Sequence, residues 1–382
     1  MATRTTPHLA VMTSEYHPEI IGGLGTVATA LTHALSSRYA RATVWSASSS
    51  PNATKQQDRG ISVLRLPRSP QYYQSKAFSY KRIAELSAKY KLPRPHLIHI
   101  HSLEFADAAL AFKRAHGTPV VYTCHSLIDA EGRTSKQRIS RRLQEQLFRL
   151  ADRIVVPSRW LQREVERRYP KTKGRTVVIP HGVSPVSGSS RVPLHKLLYV
   201  GRLLVSKGID PLIEAVADVR RTHPDIHLTL VGDGPVRYRD RLRRLAASRG
   251  IASRVQMRGF LPHDRVKRLY RSYGAVIVPS RQESFCMVAL EAMASGVPLI
   301  STRAGGLREF VYSSHAMIIR STDRRAIAAA IRTVLANPEL TKRRASAARK
   351  HARRYSWPAT ARRYAALFER LLASRGSRRR KG

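Results

Sequence analysis

Short apolar runs stopped by Gly, Pro or Ser recur at residues 9–13, 42–46, 61–66, 97–100, 120–123 and 153–156, and again at 197–201, 227–231, 254–258, 275–279 and 297–301. Helical stretches separate them. Apolar runs this short and rich in β-branched residues fit strands buried on both faces, and their alternation with helices makes the sheets parallel and doubly wound. Two such series in 382 residues exceed one ordinary domain and fit an α/β chain of two domains of about 180 residues each. The boundary falls in the small, flexible run Ser184-Pro185-Val186-Ser187-Gly188-Ser189-Ser190. The expected layout is therefore a first domain over 1–184, a second over 185–354, a last amphipathic helix within 355–373 and a basic disordered tail over 374–382.

Residues 279–309 are the most informative stretch. Ala275-Val276-Ile277-Val278 reads as a buried strand stopped by Pro279-Ser280, and Phe285 to Ala294 reads as a short helix ended by Gly296 and Pro298. Glu283 then sits at the strand's carboxyl end, where a doubly wound sheet has its crevice, with the positive end of the helix aimed at the same place. Glu291 follows eight residues on, about two helical turns. Its neighbours Leu290, Ala292, Met293 and Ala294 make the helix buried, so its carboxylate needs a partner, and ribose hydroxyls suit.

Other clusters sit at strand ends. Gly201-Arg202-Leu203-Leu204-Val205-Ser206-Lys207-Gly208 follows the strand at 197–201 and brings two positive charges to its carboxyl end, where a diphosphate would gather charge. Gly22-Gly23-Leu24-Gly25 opens a helix that runs through Leu35, and glycines there permit close approach of backbone N–H groups to an anion. Alone, that loop is no more than a tight turn. His101 and His125 end two further strands; His99 reads as a core residue.

Taken together these motifs resemble the retaining glycosyltransferases of family 4, whose GT-B fold pairs two Rossmann-like doubly wound domains across a cleft. Glu283 and Glu291 match the family's Glu-x7-Glu signature, which implies that the first orients the donor sugar and the second binds the nucleotide ribose. The segment Ser284-Phe285-Cys286-Met287-Val288 would face the sugar and diphosphate. Gly201, Arg202 and Lys207 resemble the phosphate clamp, Gly22, Gly23 and Gly25 the glycine-rich donor loop, and Thr123-Cys124-His125 the strand end whose His contacts the sugar. Arg258, Gly259 and Phe260 are the expected base contacts, and Glu15, His17 and His101 the acceptor-side candidates. Gly232-Asp233-Gly234-Pro235 and Gly305-Gly306-Leu307-Arg308-Glu309 extend the likeness to roughly residues 9–370, and a tail helix of this family crosses back to the first domain. Two positions depart from the pattern: Cys286 where many members have Gly, and His181 where Asn is usual.

The resemblance implies an enzyme that moves a hexosyl group (glucosyl, N-acetylglucosaminyl or mannosyl) from a nucleoside diphosphate sugar, taken as UDP-linked, to an acceptor with retention. The donor phosphate would take the acceptor's proton, and domain closure would exclude water. His125, Glu283, Arg202 and Lys207 are the expected catalytic set. Cell-surface polysaccharide, glycolipid or secondary-metabolite glycosylation is the expected setting. No metal-ligand spacing and no Asp-x-Asp after a strand is present, so metal-independent transfer without a cofactor is expected.

Charge is the second unusual feature: 69 Lys plus Arg against 25 Asp plus Glu give +44, with basic runs in both domains. Such a surface attracts polyanions. An anionic membrane surface or acidic acceptor would explain it, and the basic amphipathic stretches Lys76 to Leu92 and Arg133 to Leu150 support that reading; a bias toward arginine would give the same charge. A nucleic-acid-binding protein is the rival class, without a recognisable module; a sugar-nucleotide epimerase of the same fold is the rival enzyme. No apolar window long enough to span a bilayer occurs, and residues 1–7 lack an apolar leader. Two cysteines, Cys124 and Cys286, in different domains suit a reducing compartment. A cytoplasmic protein, peripheral on the inner membrane face, is the expectation.

Overall fold

The computed structural model describes residues 7–36, 39, 41–68, 72, 77–128, 135–186 and 192–379. Residues 187–190 of the expected linker lie outside them, as do 76 and 133–134 of the two basic stretches and 380–382 of the tail. Packing divides the chain into unit 1, Met1–Gly182 with Trp357–Gly382, and unit 2, Val183–Ser356.

Unit 1 is built on β1 (Leu9–Thr13), β2 (Ala42–Ser48), β3 (Thr54–Asp58), β4 (Ile61–Pro67), β5 (Leu97–Ile100), β6 (Val120–Thr123), β7 (Arg153–Val156) and β8 (Thr176–Val178). They form one sheet in the order β3-β4-β2-β1-β5-β6-β7-β8. All pairs are parallel except β3 with β4. Every residue of β1, β2, β5 and β6 is buried, as strands covered on both faces must be. The covering helices are α1 (Gly23–Ser36), α2 (Tyr80–Lys89), α3 (Ala106–His116), α4 (Ser135–Leu150) and α5 (Arg159–Arg168). Ser79 and Ser158 cap α2 and α5 by accepting the backbone N–H of Arg82 and Leu161.

Unit 2 holds β9 (Lys196–Val200), β10 (His227–Val231), β11 (Val255–Gly259), β12 (Ala275–Val278), β13 (Leu299–Ser301) and β14 (Met317–Ile318). The order is β11-β10-β9-β12-β13-β14, parallel throughout. Its helices are α6 (Ile209–Arg220), α7 (Val236–Ser248), α8 (His263–Leu269), α9 (Met287–Ala294), α10 (Arg324–Ala336) and α11 (Pro338–Ala352). Alternate strand residues enter different cores: Leu197, Tyr199 and Ile277 pack on one face of the sheet, Leu198, Val276 and Val278 on the other. The last helix, α12 (Trp357–Arg379), belongs to unit 1.

In each sheet the chain starts at an inner strand, winds outward to one side, and then resumes on the opposite side of that first strand. The reversal leaves a crevice at the carboxyl ends of β1 and β5 in unit 1, and of β9 and β12 in unit 2. One expectation needs correction. Residues 374–379, expected as disordered tail, continue the helical backbone of α12 to Arg379. Leu371, Leu372 and Ala373 are strong helix formers with no breaker after them, and Gly376 alone costs only about 1 kcal/mol relative to Ala.

Candidate functional site

At the reversal point of unit 2, β9 leads into the loop carrying Arg202 and Lys207, and β12 into the loop carrying Glu283. The two loops are tied together. Arg281 N–H donates to Ser206 O at 2.9 Å, and Lys207 Nζ donates to Glu283 Oε1 at 2.7 Å. Ser280 Oγ donates to the same oxygen at 2.8 Å. The ion pair is mostly shielded, with side chains 19% and 13% exposed. Arg202 is exposed at the mouth, and its carbonyl accepts from the Tyr199 hydroxyl at 2.8 Å. One cation paired with a carboxylate, one exposed cation and that oriented carboxylate thus share the crevice.

Close backbone packing shapes these loops. Gly208 caps α6 with φ +70°, and a Cβ there would stand 2.2 Å from Pro279 O. At Gly305, with φ +57°, a Cβ would stand 2.1 Å from Glu283 O, while Gly306 N–H donates to that same carbonyl at 2.8 Å. The turn Gly305–Glu309 therefore fixes the backbone of Glu283 directly. Neither approach accommodates a side chain.

Glu291 lies on α9 and is 9% exposed. His263 Nε2 lies 2.9 Å from its Oε1, and the Tyr270 hydroxyl donates to its Oε2 at 2.8 Å. Both oxygens thus have protein partners before any ribose is considered, which the sequence left open. A carboxylate oxygen accepts two hydrogen bonds, so each keeps one acceptor position. His263 and Tyr270 were not singled out from sequence; a Tyr in an arginine-rich helical stretch carries no signal of an inward hydroxyl. Val205 after β9, Val236 after β10 and Phe260 after β11 are exposed apolar side chains that follow these strands' carboxyl ends, and Gly259 O accepts Gly232 N–H at 2.8 Å. Arg258 is exposed beside them.

Cys286 is the N-cap of α9, with φ +85° and ψ +85°. A side chain in that region costs roughly 1–2 kcal/mol relative to Gly, so the departure seen in sequence is a strained one. Burial and the neighbouring Glu283 carboxylate push its thiol well above the usual range. Ser284, Met287 and Val288 surround it, half-buried, and Phe285 packs on Phe310 with ring centroids 5.0 Å apart.

Unit 1 has its own reversal point, where Ser14 Oγ and Ser102 Oγ stand 2.9 Å apart and join the loops after β1 and β5. Glu15 does something its sequence position did not suggest: its Oε2 accepts the N–H groups of Ile21 at 2.9 Å and Gly22 at 2.8 Å. A Cβ on Gly25 would stand 2.7 Å from that oxygen, so the glycine-rich loop is folded around an internal carboxylate. Gly22 and Gly23 are exposed at its rim, and so is His17. Arg65, 1% exposed, holds the loop from beneath, donating to Ser46 Oγ and to the carbonyls of Tyr16 and His17. An arginine inside the apolar run Val63-Leu64-Arg65-Leu66 was a readable sign of a buried polar duty.

His99, His101, His125 and His181 form a run of rings. His101 Nδ1 lies 3.1 Å from His125 Nε2, and the His125 and His181 centroids are 5.4 Å apart. The His99 and His101 rings are tilted with centroids 4.2 Å apart, and His99 Nε2 lies 2.7 Å from Thr123 Oγ1, which in turn meets the Tyr364 hydroxyl at 3.0 Å. Burial drives His99 down to about 3 and His125 to about 4. Burial and neighbouring imidazoles hold His101 and His181 well below their usual value. Neutral rings are thus the resting state, and one of each bonded pair carries the shared proton. Below the strand end, Gln144 donates to the Tyr122 hydroxyl and to Ser126 O, and accepts Ile128 N–H, fixing the turn that presents His125. Burial pushes the adjacent Cys124 thiol up to about 12. Among the described residues, no three His, Cys, Asp or Glu side chains are placed to share a metal ion.

Both units match known sequence families. The model described as Glycosyltransferase Family 4 matches residues 21–186, and that described as Glycosyl transferases group 1 matches residues 190–351. A glycogen synthase of Mycobacterium tuberculosis is 31% identical over 298 residues, covering 75% of this chain and 70% of that protein. Sucrose-phosphate synthase from Thermosynechococcus elongatus superposes with TM-score 0.79 at 22% identity, covering 96% of this chain and 100% of that one. HepE of Anabaena, solved with UDP-glucose, gives TM-score 0.73 at 19% identity, covering 94% and 99%. With the Lys207–Glu283 pair and a glycine-rich loop at its reversal points, this chain is a GT-B glycosyltransferase and belongs to glycosyltransferase family 4.

Proposed function

We propose that the protein transfers a hexosyl group from a UDP-sugar to an acceptor hydroxyl with retention of anomeric configuration and without a metal. The observation that carries this reading is the Lys207–Glu283 pair at the reversal point of unit 2. Departure of a nucleoside diphosphate concentrates negative charge, and fixed cations or N–H donors aimed at it are worth about 3 kcal/mol each. Lys207 and Arg202 supply such charge at a strand end, and Glu283, held by Lys207 and Ser280, orients sugar hydroxyls. Glu291, braced by His263 and Tyr270, receives the ribose. Exposed Phe260 with the backbone around Gly259 suits a pyrimidine base.

We assign the acceptor, with His101 and His125, to unit 1. Because burial keeps His125 neutral, it is a hydrogen-bonding partner of the sugar rather than a cation. In this reading no carboxylate among the described residues serves as a covalent nucleophile, and the donor's own phosphate oxygen takes the acceptor proton as the glycosidic bond forms on the face the diphosphate leaves. The UDP-glucose complex of HepE supports a uridine donor, and the glycogen synthase relative supports a sugar hydroxyl as acceptor. The large positive charge of the chain supports a setting beside anionic surfaces, which we propose to be the inner face of a membrane where polysaccharide or glycolipid is built.

Incubation with UDP-, GDP- and ADP-sugars, followed by release of the free diphosphate and by proton NMR of the product anomer, tests the proposal. Turnover of a UDP-hexose with an axial anomeric product from an axial donor is expected. Inversion, or turnover unchanged in both Lys207→Ala and Glu283→Ala, overturns it.

A further inference from the structure

One cavity of unit 1 has neither the glycine-rich loop nor any of the four histidines in its lining. It is a groove of about 730 Å³ between the edge strand β8 and helix α12, within the size range of small-ligand clefts, about 300–1,000 Å³. Val177, Val178, Ala366, Leu367 and Leu371 form its floor. Arg153, Arg362, Arg363 and Arg370 stand along it, and none of its lining residues is acidic.

Helical spacing creates this arrangement. Residues 359, 362, 363, 366, 367, 370, 371 and 374 recur every three or four positions and so share one stripe of α12. The other stripe, with Tyr364 and Phe368, is fully buried against His99 and Tyr39. The helix thus spends one face on the fold and leaves a second that is apolar at its centre and cationic at its margins. Arg362, Arg363 and Arg370 are exposed, and the floor leucines are only 8% exposed each. Guanidinium groups pair bidentately with phosphate, while an apolar floor has no use for a nucleic-acid backbone or a free ion.

We propose that this groove binds the headgroup and upper acyl chain of an anionic phospholipid, seating unit 1 on a bilayer. It deepens the membrane-surface part of the proposed function and is independent of the transfer chemistry, because vesicle binding reads one and donor turnover reads the other. None of its lining residues belongs to the basic helices α2 and α4 that suggested a membrane from sequence.

Flotation of the full chain with vesicles of phosphatidylcholine, with and without phosphatidylglycerol, tests it. The triple variant Arg362→Glu, Arg363→Glu, Arg370→Glu is compared with a distal triple on exposed arginines of the same unit, Arg41→Glu, Arg94→Glu, Arg114→Glu. Since each surface arginine contributes roughly a fivefold gain in affinity near anionic lipid, the groove variant is expected to bind about a hundredfold more weakly and the distal variant to bind far better than it does. Donor hydrolysis in solution is expected to be unchanged in both. If the groove triple fails to fold, the neutral pair Arg363→Gln, Arg370→Gln gives the same comparison. Equal losses in the two variants, unimpaired binding of the groove variant, or equally tight groove binding of a polyglutamate peptide overturns the proposal.

Discussion

Lys207 Nζ and Glu283 Oε1 meet at 2.7 Å across the reversal point of unit 2. Each partner arrives on a different strand end, so the contact exists only once β9 and β12 lie side by side. Among the described residues, removing Lys207 leaves the Glu283 carboxylate with Ser280 as its side-chain partner. Lys207→Ala is expected to lower kcat/KM for the donor by about 10²–10³, with a loss of folding stability of only about 1 kcal/mol. A steady-state series with Glu283→Gln and the double variant checks it; additive losses would show that the pair does not act together.

Cys286 occupies a left-handed cap. Cys286→Gly is expected to raise unfolding free energy by about 1 kcal/mol, and Cys286→Val to lower it, since a β-branched side chain fits that region worst. Urea midpoints at constant m-value decide between this and an unstrained cap.

His263 and Tyr270 brace Glu291 from its two oxygens. His263→Ala and Tyr270→Phe each remove one hydrogen bond to a charged group, worth about 1.5–3 kcal/mol. Donor KM is expected to rise roughly tenfold with kcat little changed, and the preference for ribose over 2′-deoxyribose donors to shrink. A fall in kcat at constant KM would place Glu291 in the chemistry instead.

Two histidines shielded from water, His99 and His125, set an acid limit. In the folded chain His99 titrates near 3 and His125 near 4, below the unfolded value of about 6.5. Between those points the unfolded chain binds protons that the native one refuses. Unfolding free energy is therefore full above about pH 6.5 and falls by about 1.4 kcal/mol per pH unit for each such histidine on acidification. The double variant His99→Gln, His125→Gln is expected to flatten the slope of denaturant-derived stability between pH 6 and 4, where the native protein shows its loss.

The strands that carry the crevices were legible because burial on both faces demands an unbroken apolar run. β1, β5, β6 and β10 span the residues read from sequence. The elements that escaped lack that demand. β3 reads Thr-Lys-Gln-Gln-Asp on an exposed edge, β8 has three residues and β14 two. Helix α11 begins with Pro338, which reads as a stop but sits comfortably at a helix's first position.

Within the candidate sites, residues at strand ends announced themselves through glycine spacing and stray charge. The braces did not. Gln144, Tyr270 and Tyr364 act through polar atoms aimed inward by tertiary packing, and nothing in their neighbours' sequence distinguishes an inward hydroxyl from an outward one. Glu15 shows the converse: its place was marked, but its bond to the loop N–H groups depended on a fold of the chain that spacing alone does not give.

Helix α12 is separated from the rest of unit 1 by the whole of unit 2, yet its Tyr364 hydroxyl completes the bonds running through Thr123 to His99. A ribosome therefore releases unit 2 as an uninterrupted stretch, while the earlier-made β1–β8 sheet waits with its α12 face uncovered until residues 357–371 emerge. During synthesis the first unit begun is the last one finished, and its exposed apolar surface in that interval is where a chaperone has most to protect.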